Sequence, residues 1–276
     1  MKSLVSISFV FCATVAVALL AVGSAAASVG VNCVKPFDLT SKNQDLTNCK
    51  MNGVTITGSN LPGDAMQGSN FTGASLKGAT IGTDSATLTL RDANLTSASL
   101  VGVTIGGDCS LCSATLASAT LKGSVIGGAG AFNAANLTGA NLKNIQIPTS
   151  SFNPAFQFAT LDGASLRGAS IAGDESFSYA SLNGADLTGA AITANDAFTS
   201  FSLLPPTTTL VGASLVNATI SGSNDFDFAD LTGADLTGAI VTGSNDFQGA
   251  LFGNTICPDG TNSNNDGGTC VGHGIS

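Results

Sequence analysis

Seven cysteines, one histidine and a scatter of carboxylates are the residues of this 276-residue chain suited to redox, metal or acid–base chemistry. Cys109-Ser-Leu-Cys112 has the spacing of a dithiol couple or of half a zinc site. A redox role needs a positive helix end to depress the thiol pKa, and a single C-x-x-C with no second pair is weak for zinc. The pair therefore reads as a structural disulfide. Proximity in sequence suggests two more, Cys33 with Cys49 and Cys257 with Cys270, although six cysteines left after Cys12 admit other pairings. His273 lies close to the C-terminus, in a segment expected to fray. Asp174/Glu175 and Asp225/Asp227 are close carboxylates, but nothing predicts a cleft that would separate their pKa values for acid–base work. No phosphate-cradling glycine loop, H-E-x-x-H or G-x-S-x-G occurs. The reading is of a non-enzyme: no catalytic residue, no cofactor site and no metal site is assigned.

Calcium is the alternative chemistry. Asn224, Asp225, Asp227, Asn245 and Asp246 are hard oxygen donors near glycine-rich turns, and Asp259 precedes the run Asn262-Ser263-Asn264-Asn265-Asp266-Gly267. That run echoes the start of an EF-hand loop, but the closing bidentate glutamate is missing and His273 stands in its place. Asx residues in turns usually bond their own backbone.

What must position these groups is a repeat. Leucine-like residues recur every fifth position, as in Leu161, Leu166, Ile171 and Leu182, Leu187, Ile192. A period of five walks round an α-helix and alternates faces on a flat strand. All these residues face one core only if the backbone turns a corner about every five residues. Four corners close a coil, and coils stack into a square parallel β-solenoid. The register has three five-residue sides and one longer side. One column runs from Leu95 through Leu116 and Leu137 to Leu231, and the next from Leu100 through Leu121 to Leu236. The third is Ile56, Ile81, Ile105 and onward to Val241. The fourth comprises Leu111, Phe132, Phe177, Phe198, Phe226 and Phe247. Extending back to Phe71 and Leu46 predicts about nine coils, a rod roughly 43 Å long at the strand spacing of about 4.8 Å. Alanine lies two residues before most column positions, where a narrow coil has room only for a small side chain. Glycine often lies two residues after, at the corner, where positive φ is cheap for it.

The runs AANLTGANLKN, ASLNGADLTGA and FADLTGADLTGA resemble the tandem A-(D/N)-L-x-x consensus of the pentapeptide repeat proteins. The resemblance covers residues 46 to 256 and implies a right-handed quadrilateral parallel β-helix, an all-β fold. It implies little about function, because fold does not carry function. Some cytoplasmic members of that family resemble B-form DNA in width and acidity and bind DNA gyrase. This chain departs from that picture in having an export signal, no obvious C-terminal dimerisation helix, and a basic stripe.

The basic stripe is Lys77, Lys122, Lys143 and Arg167, each just after a second-column residue, so stacking places them in one outward row. The longer fourth side instead collects Asp108, Asp174, Glu175, Asp196, Asp225 and Asp246, while Asp186, Asp230 and Asp235 precede column residues. Only 10% of residues are charged, the net charge is −9 and the pI is about 4.2. That balance argues against direct nucleic-acid binding. The arrangement reads either as outward positions taking any soluble residue or as an electrostatically polarised rod that orients on a charged partner, a protein or an envelope component.

Lys2, the apolar run Phe9 to Val22 and Ala25-Ala26-Ala27 read as a secretory signal cut after Ala27. The run is short of the roughly 20 residues needed to span a bilayer, and no later segment is a credible transmembrane span. The expected organisation is a signal peptide over 1–27, an N-terminal cap over 28–45, the solenoid over 46–256 and a disulfide-closed tail over 257–276. The expected location is secreted or periplasmic, where disulfides persist.

Overall fold

The computed structural model describes residues 46–56, 60–61, 66–81, 90–148, 154–200, 207–223 and 226–275. Among the described residues nine short strands form one parallel sheet in strict chain order. They are β1 (Asn60–Leu61), β2 (Thr80–Ile81), β3 (Thr104–Ile105), β4 (Val125–Ile126), β5 (Gln146–Ile147), β6 (Ser170–Ile171), β7 (Ala191–Ile192), β8 (Thr219–Ser221) and β9 (Ile240–Thr242). Each strand pairs with its counterpart one turn later, and the β-branched column Ile81, Ile105, Ile126 points inward along it. Two further ladders of single parallel bridges mark other sides, one passing Asn94, Thr115, Asn136 and Thr160, the other Ser99, Thr120, Asn141 and Ser165. Sides of two or three paired residues suit a chain that must turn every five.

The turn itself explains the repeat. The N–H of Ala98 donates to the carbonyl of Leu95 at 2.9 Å, and that of Ala164 to Leu161 at 2.9 Å. The residue before the donor lies at positive φ: Ser97 at 56° and Gly163 at 64°. A turn that needs φ > 0 at its third residue favours glycine there, which is why L-x-G recurs. Stacking then fills the interior with leucine, isoleucine and alanine, all essentially inaccessible to water. In the fourth column Phe132, Phe156, Phe177, Phe198, Phe226 and Phe247 form a continuous stack with centroids 4.7–5.5 Å apart.

The register differs from the sequence reading at the N-terminal end. Thr55 bridges Ser75, so Ile56 belongs to the second column beside Leu76, and the strand partner of Ile81 is Leu61. Leu46 belongs to the fourth column with Met66 and Leu90, since Asn48 bonds to Gln67 and Gly68 to Arg91 from one turn to the next. Lys50 and Asn70, paired one turn apart, are 20 residues apart, against 21 for Asn94 and Thr115, so the first coil lacks the extra residue of regular later coils, and methionines stand at Met51 and Met66 in place of the tell-tale leucines. Phe156 completes the fourth column in a coil the sequence suggested was merely lengthened. Against about nine expected coils, seven four-sided turns run unbroken through the described residues: 66–81, 90–105, 111–126, 132–147, 156–171, 177–192 and 226–241. The turns that carry β1 and β8 each include residues outside the description.

Candidate interaction surfaces

The cationic row is a geometric fact of the stack. The N–H of Gly78 donates to the carbonyl of Val101, Gly102 to Lys122, Gly123 to Lys143 and Asn144 to Arg167, at 2.9–3.0 Å. Lys77, Val101, Lys122, Lys143 and Arg167 therefore occupy one corner in five successive turns. Lys77, Lys122 and Arg167 are exposed and Lys143 is half-buried. Like charges about 4.8 Å apart repel, which salt screens at an exposed corner. Arg167 is partly neutralised: Nη1 lies 3.3 Å from Asp186. Burial pushes the Asp186 carboxyl up, but the Thr188 hydroxyl and N–H together with Arg167 outweigh it and hold the carboxyl below its usual range.

The acidic corner is less a display of free charge than the sequence suggests. Asp108 Oδ1 accepts the N–H of Ala129 one turn later at 3.1 Å, and Asp174 Oδ1 accepts that of Asn195 at 3.0 Å. Asn195 repeats the arrangement with Ser223 at 3.2 Å. These side chains satisfy backbone donors that the wider fourth side leaves without ladder partners. Asp246 accepts from Gln248 within its own turn. Glu175 is different: burial first, then the neighbouring Asp196 and Asp174, push its carboxyl above the ordinary value. Asp225 lies outside the described residues. Asp230 and Asp235 accept the N–H groups of Thr232 and Thr237, so both close Asx turns.

Cys109 and Cys112 are bonded across a corner whose Leu111 points into the core. Cys257 is bonded to Cys270. Cys49 is also disulfide-bonded; Cys33, its expected partner, lies outside the described residues, as do the expected signal and cap over 1–45.

His273 does not fray. Its Nδ1 lies 3.0 Å from Asp259 Oδ2, its N–H donates to the carbonyl of Cys270, and the nearby Ile275 is buried. The Asp259 carboxyl is held down to about 2, first by the Thr261 hydroxyl, then by the Thr261 N–H, and further by His273. The expected Cys257–Cys270 disulfide, together with a short 3-10 turn at Ser263–Asn265, pins the tail on the last coil. The tail's donor oxygens face its own backbone: Asn262 caps Asn264, and Asn264 accepts from Asn254. Among the described residues no cluster of three or more His, Cys, Asp or Glu side chains is arranged for a metal ion, and no helix is long and apolar enough to cross a membrane.

Sequence reasoning missed an outward aromatic pair. Phe158 and Tyr179 stack on the outer side of the fourth corner, 5.1 Å apart with planes 9° from parallel. Both have φ of 58°, and Phe158 is 47% exposed. The signal available was an aromatic residue two positions after the inner phenylalanine in successive coils; Phe228 repeats it after Phe226, whereas Ser113, Ala134 and Ser200 stand there after Leu111, Phe132 and Phe198.

The sequence profile described as Pentapeptide repeats matches this chain with 8 copies, over residues 208–238. No curated protein matches it. Among solved structures, the chain is similar to HetL, a pentapeptide repeat protein involved in heterocyst differentiation regulation from the cyanobacterium Nostoc sp. strain PCC 7120. The two are 24% identical over 81% of this chain and 94% of that one, with a TM-score of 0.34. Full-length QnrB1, a plasmid-mediated fluoroquinolone resistance protein, is 17% identical over 73% of this chain and 92% of its own, with a TM-score of 0.22. A pentapeptide repeat protein of the Arabidopsis thaliana thylakoid lumen is 20% identical over 44% and 59%, with a TM-score of 0.13.

Proposed function

Because this chain is a pentapeptide repeat protein, we propose that it works as a non-enzymatic scaffold, exported from the cytoplasm, that captures a partner on its flat sides. The partner class is a protein or envelope component bearing negative charge, and the capture surface is the corner carrying Lys77, Lys122, Lys143 and Arg167. The observation that supports this is the turn-to-turn register of those four cations on a chain of net charge −9. A rod so acidic overall repels anionic partners everywhere except along a local cationic row, so the row orients the encounter. The described sides are close-packed inside, and such a filled coil suits surface contact rather than catalysis in a cleft.

The test has two arms. Cell fractionation with N-terminal sequencing should find the chain outside the cytoplasm and starting at Ser28; an intact cytoplasmic chain defeats the export half. A pulldown from the host envelope with the purified chain should yield a partner that the Lys122→Glu/Lys143→Glu/Arg167→Glu variant loses by about tenfold or more, more steeply at low salt. Undiminished capture by that variant removes the cationic corner from the binding surface.

A further inference from the structure

Ala134, Phe158 and Tyr179 occupy the same outer corner position in three successive turns. The N–H of Ala134 donates to the carbonyl of Gln157 at 2.9 Å, and that of Phe158 to Ser178 at 3.1 Å, which sets the register. All three lie at φ of 55–58°. Left-handed backbone is disfavoured for a bulky residue and tends to be kept where it serves a function. At the same corner earlier turns use Asn48, Gly68, Asp92 and Ser113, which tolerate that conformation better. The aromatic ladder stops abruptly: Phe158 stacks on Tyr179 on one side, and on the other a methyl group stands where the next ring would be. The consequence is a step, one turn high, floored by a half-exposed phenyl ring.

We infer that this step is a binding site for a neutral glycan, one pyranose ring of which stacks on Phe158 in the rung that Ala134 leaves open. The ring-to-ring separation of 5.1 Å between Phe158 and Tyr179 shows that this corner accommodates stacked six-membered rings at the pitch of the coil. The surroundings select a sugar over an aromatic side chain. Asn133 and Gln157, joined amide to amide at 3.2 Å, flank the step, and Asn136 and Thr138 are exposed on the same turn. Each amide has further donor and acceptor positions beyond that one bond. A purely apolar ring would cover them without pairing, which costs free energy, whereas ring hydroxyls pair with them. None of these residues is charged, which matches an uncharged ligand. This corner is separate from the cationic one, and binding here does not depend on capture there.

The chain contains one tyrosine and no tryptophan, so its intrinsic fluorescence reports on Tyr179 alone. Titration of the purified chain with neutral hexasaccharides (a β-1,4-glucan, an α-1,4-glucan and a β-1,4-mannan) should give a saturable fluorescence change with at least one, matched by calorimetry. Phe158→Ala should weaken that binding about tenfold, the scale of a lost stacking contact. Ala134→Phe should abolish it by filling the open rung, with a melting temperature no lower than that of the parent chain. Lys122→Glu should leave it unchanged. Absence of saturable binding to all three sugars overturns the proposal, as does binding that survives Ala134→Phe. Binding of p-cresol that Ala134→Phe blocks, without sugar binding, reassigns the step to an aromatic side chain of a protein partner and equally overturns it.

Discussion

At the scale of single residues the polar side chains mostly serve the turns that hold them. Asp108, Asp174 and Asn195 accept backbone N–H groups from the following turn, while Asn94, Asn136 and Asp230 close Asx turns with Thr96, Thr138 and Thr232. Glu175 is the exception, because its charged form is disfavoured by burial and by Asp196 and Asp174. Its folded pKa lies above the unfolded value, so ionisation weakens the fold above that folded pKa and the penalty disappears below the unfolded value of 4.5. Glu175→Gln should therefore raise the melting temperature at pH 7, and the gain should vanish as the pH falls below about 4. Melting curves from pH 3 to 8 for the two chains test this; a gain independent of pH would trace to something other than the carboxylate.

At the scale of the element the working unit is one turn of the coil, and its stability comes from the turns on either side. Phe177 lies between Phe156 at 5.4 Å and Phe198 at 5.5 Å, wholly out of water. Phe177→Ala removes both stacking contacts and leaves a cavity between packed rings, which costs about 3–5 kcal/mol. The loss should be local. Hydrogen exchange should accelerate over 156–171 and 177–192 while 90–126 keeps its protection. Uniform acceleration along the rod would mean that the solenoid unfolds as one unit rather than as coupled turns.

For the molecule as a whole, the end of the rod is the vulnerable place. Repeats bury their apolar faces only against neighbours, and an uncovered terminal layer invites association. The tail answers this: Cys257, Cys270 and Ile275 are buried, and Asn262 bridges Ile256 at the last coil. The Cys257–Cys270 bond closes a loop with a sequence separation of 13, for which the chain-entropy contribution is about 3 kcal/mol. Cys257→Ser/Cys270→Ser should lower the melting temperature and raise light scattering at high concentration. Cys109→Ser/Cys112→Ser, which opens a far shorter loop in the middle of the rod, should leave scattering unchanged. Equal scattering from both variants would deny the tail its capping role.

Periodicity alone determined the solenoid, because only a backbone turning every five residues lets a five-residue apolar repeat face one core, and L-x-G is the local signature of that turn. The placement of the cations was legible for the same reason: each follows a second-column residue, and the same place in each coil becomes vertical alignment in a stack. Register at the N-terminal end was not, since Met51 and Met66 conceal the repeat and the first coil lacks the extra residue. Nor was the anchoring of His273, which depends on an Asp259 contact that no local pattern encodes. The tertiary structure alone decided that the fourth-side aspartates bond to the next turn, and that Phe158 and Tyr179 stack outward over an empty rung. Both follow from which side chains lie one above another on the outer side of the longer fourth side, and that alignment exists only once the chain is wound.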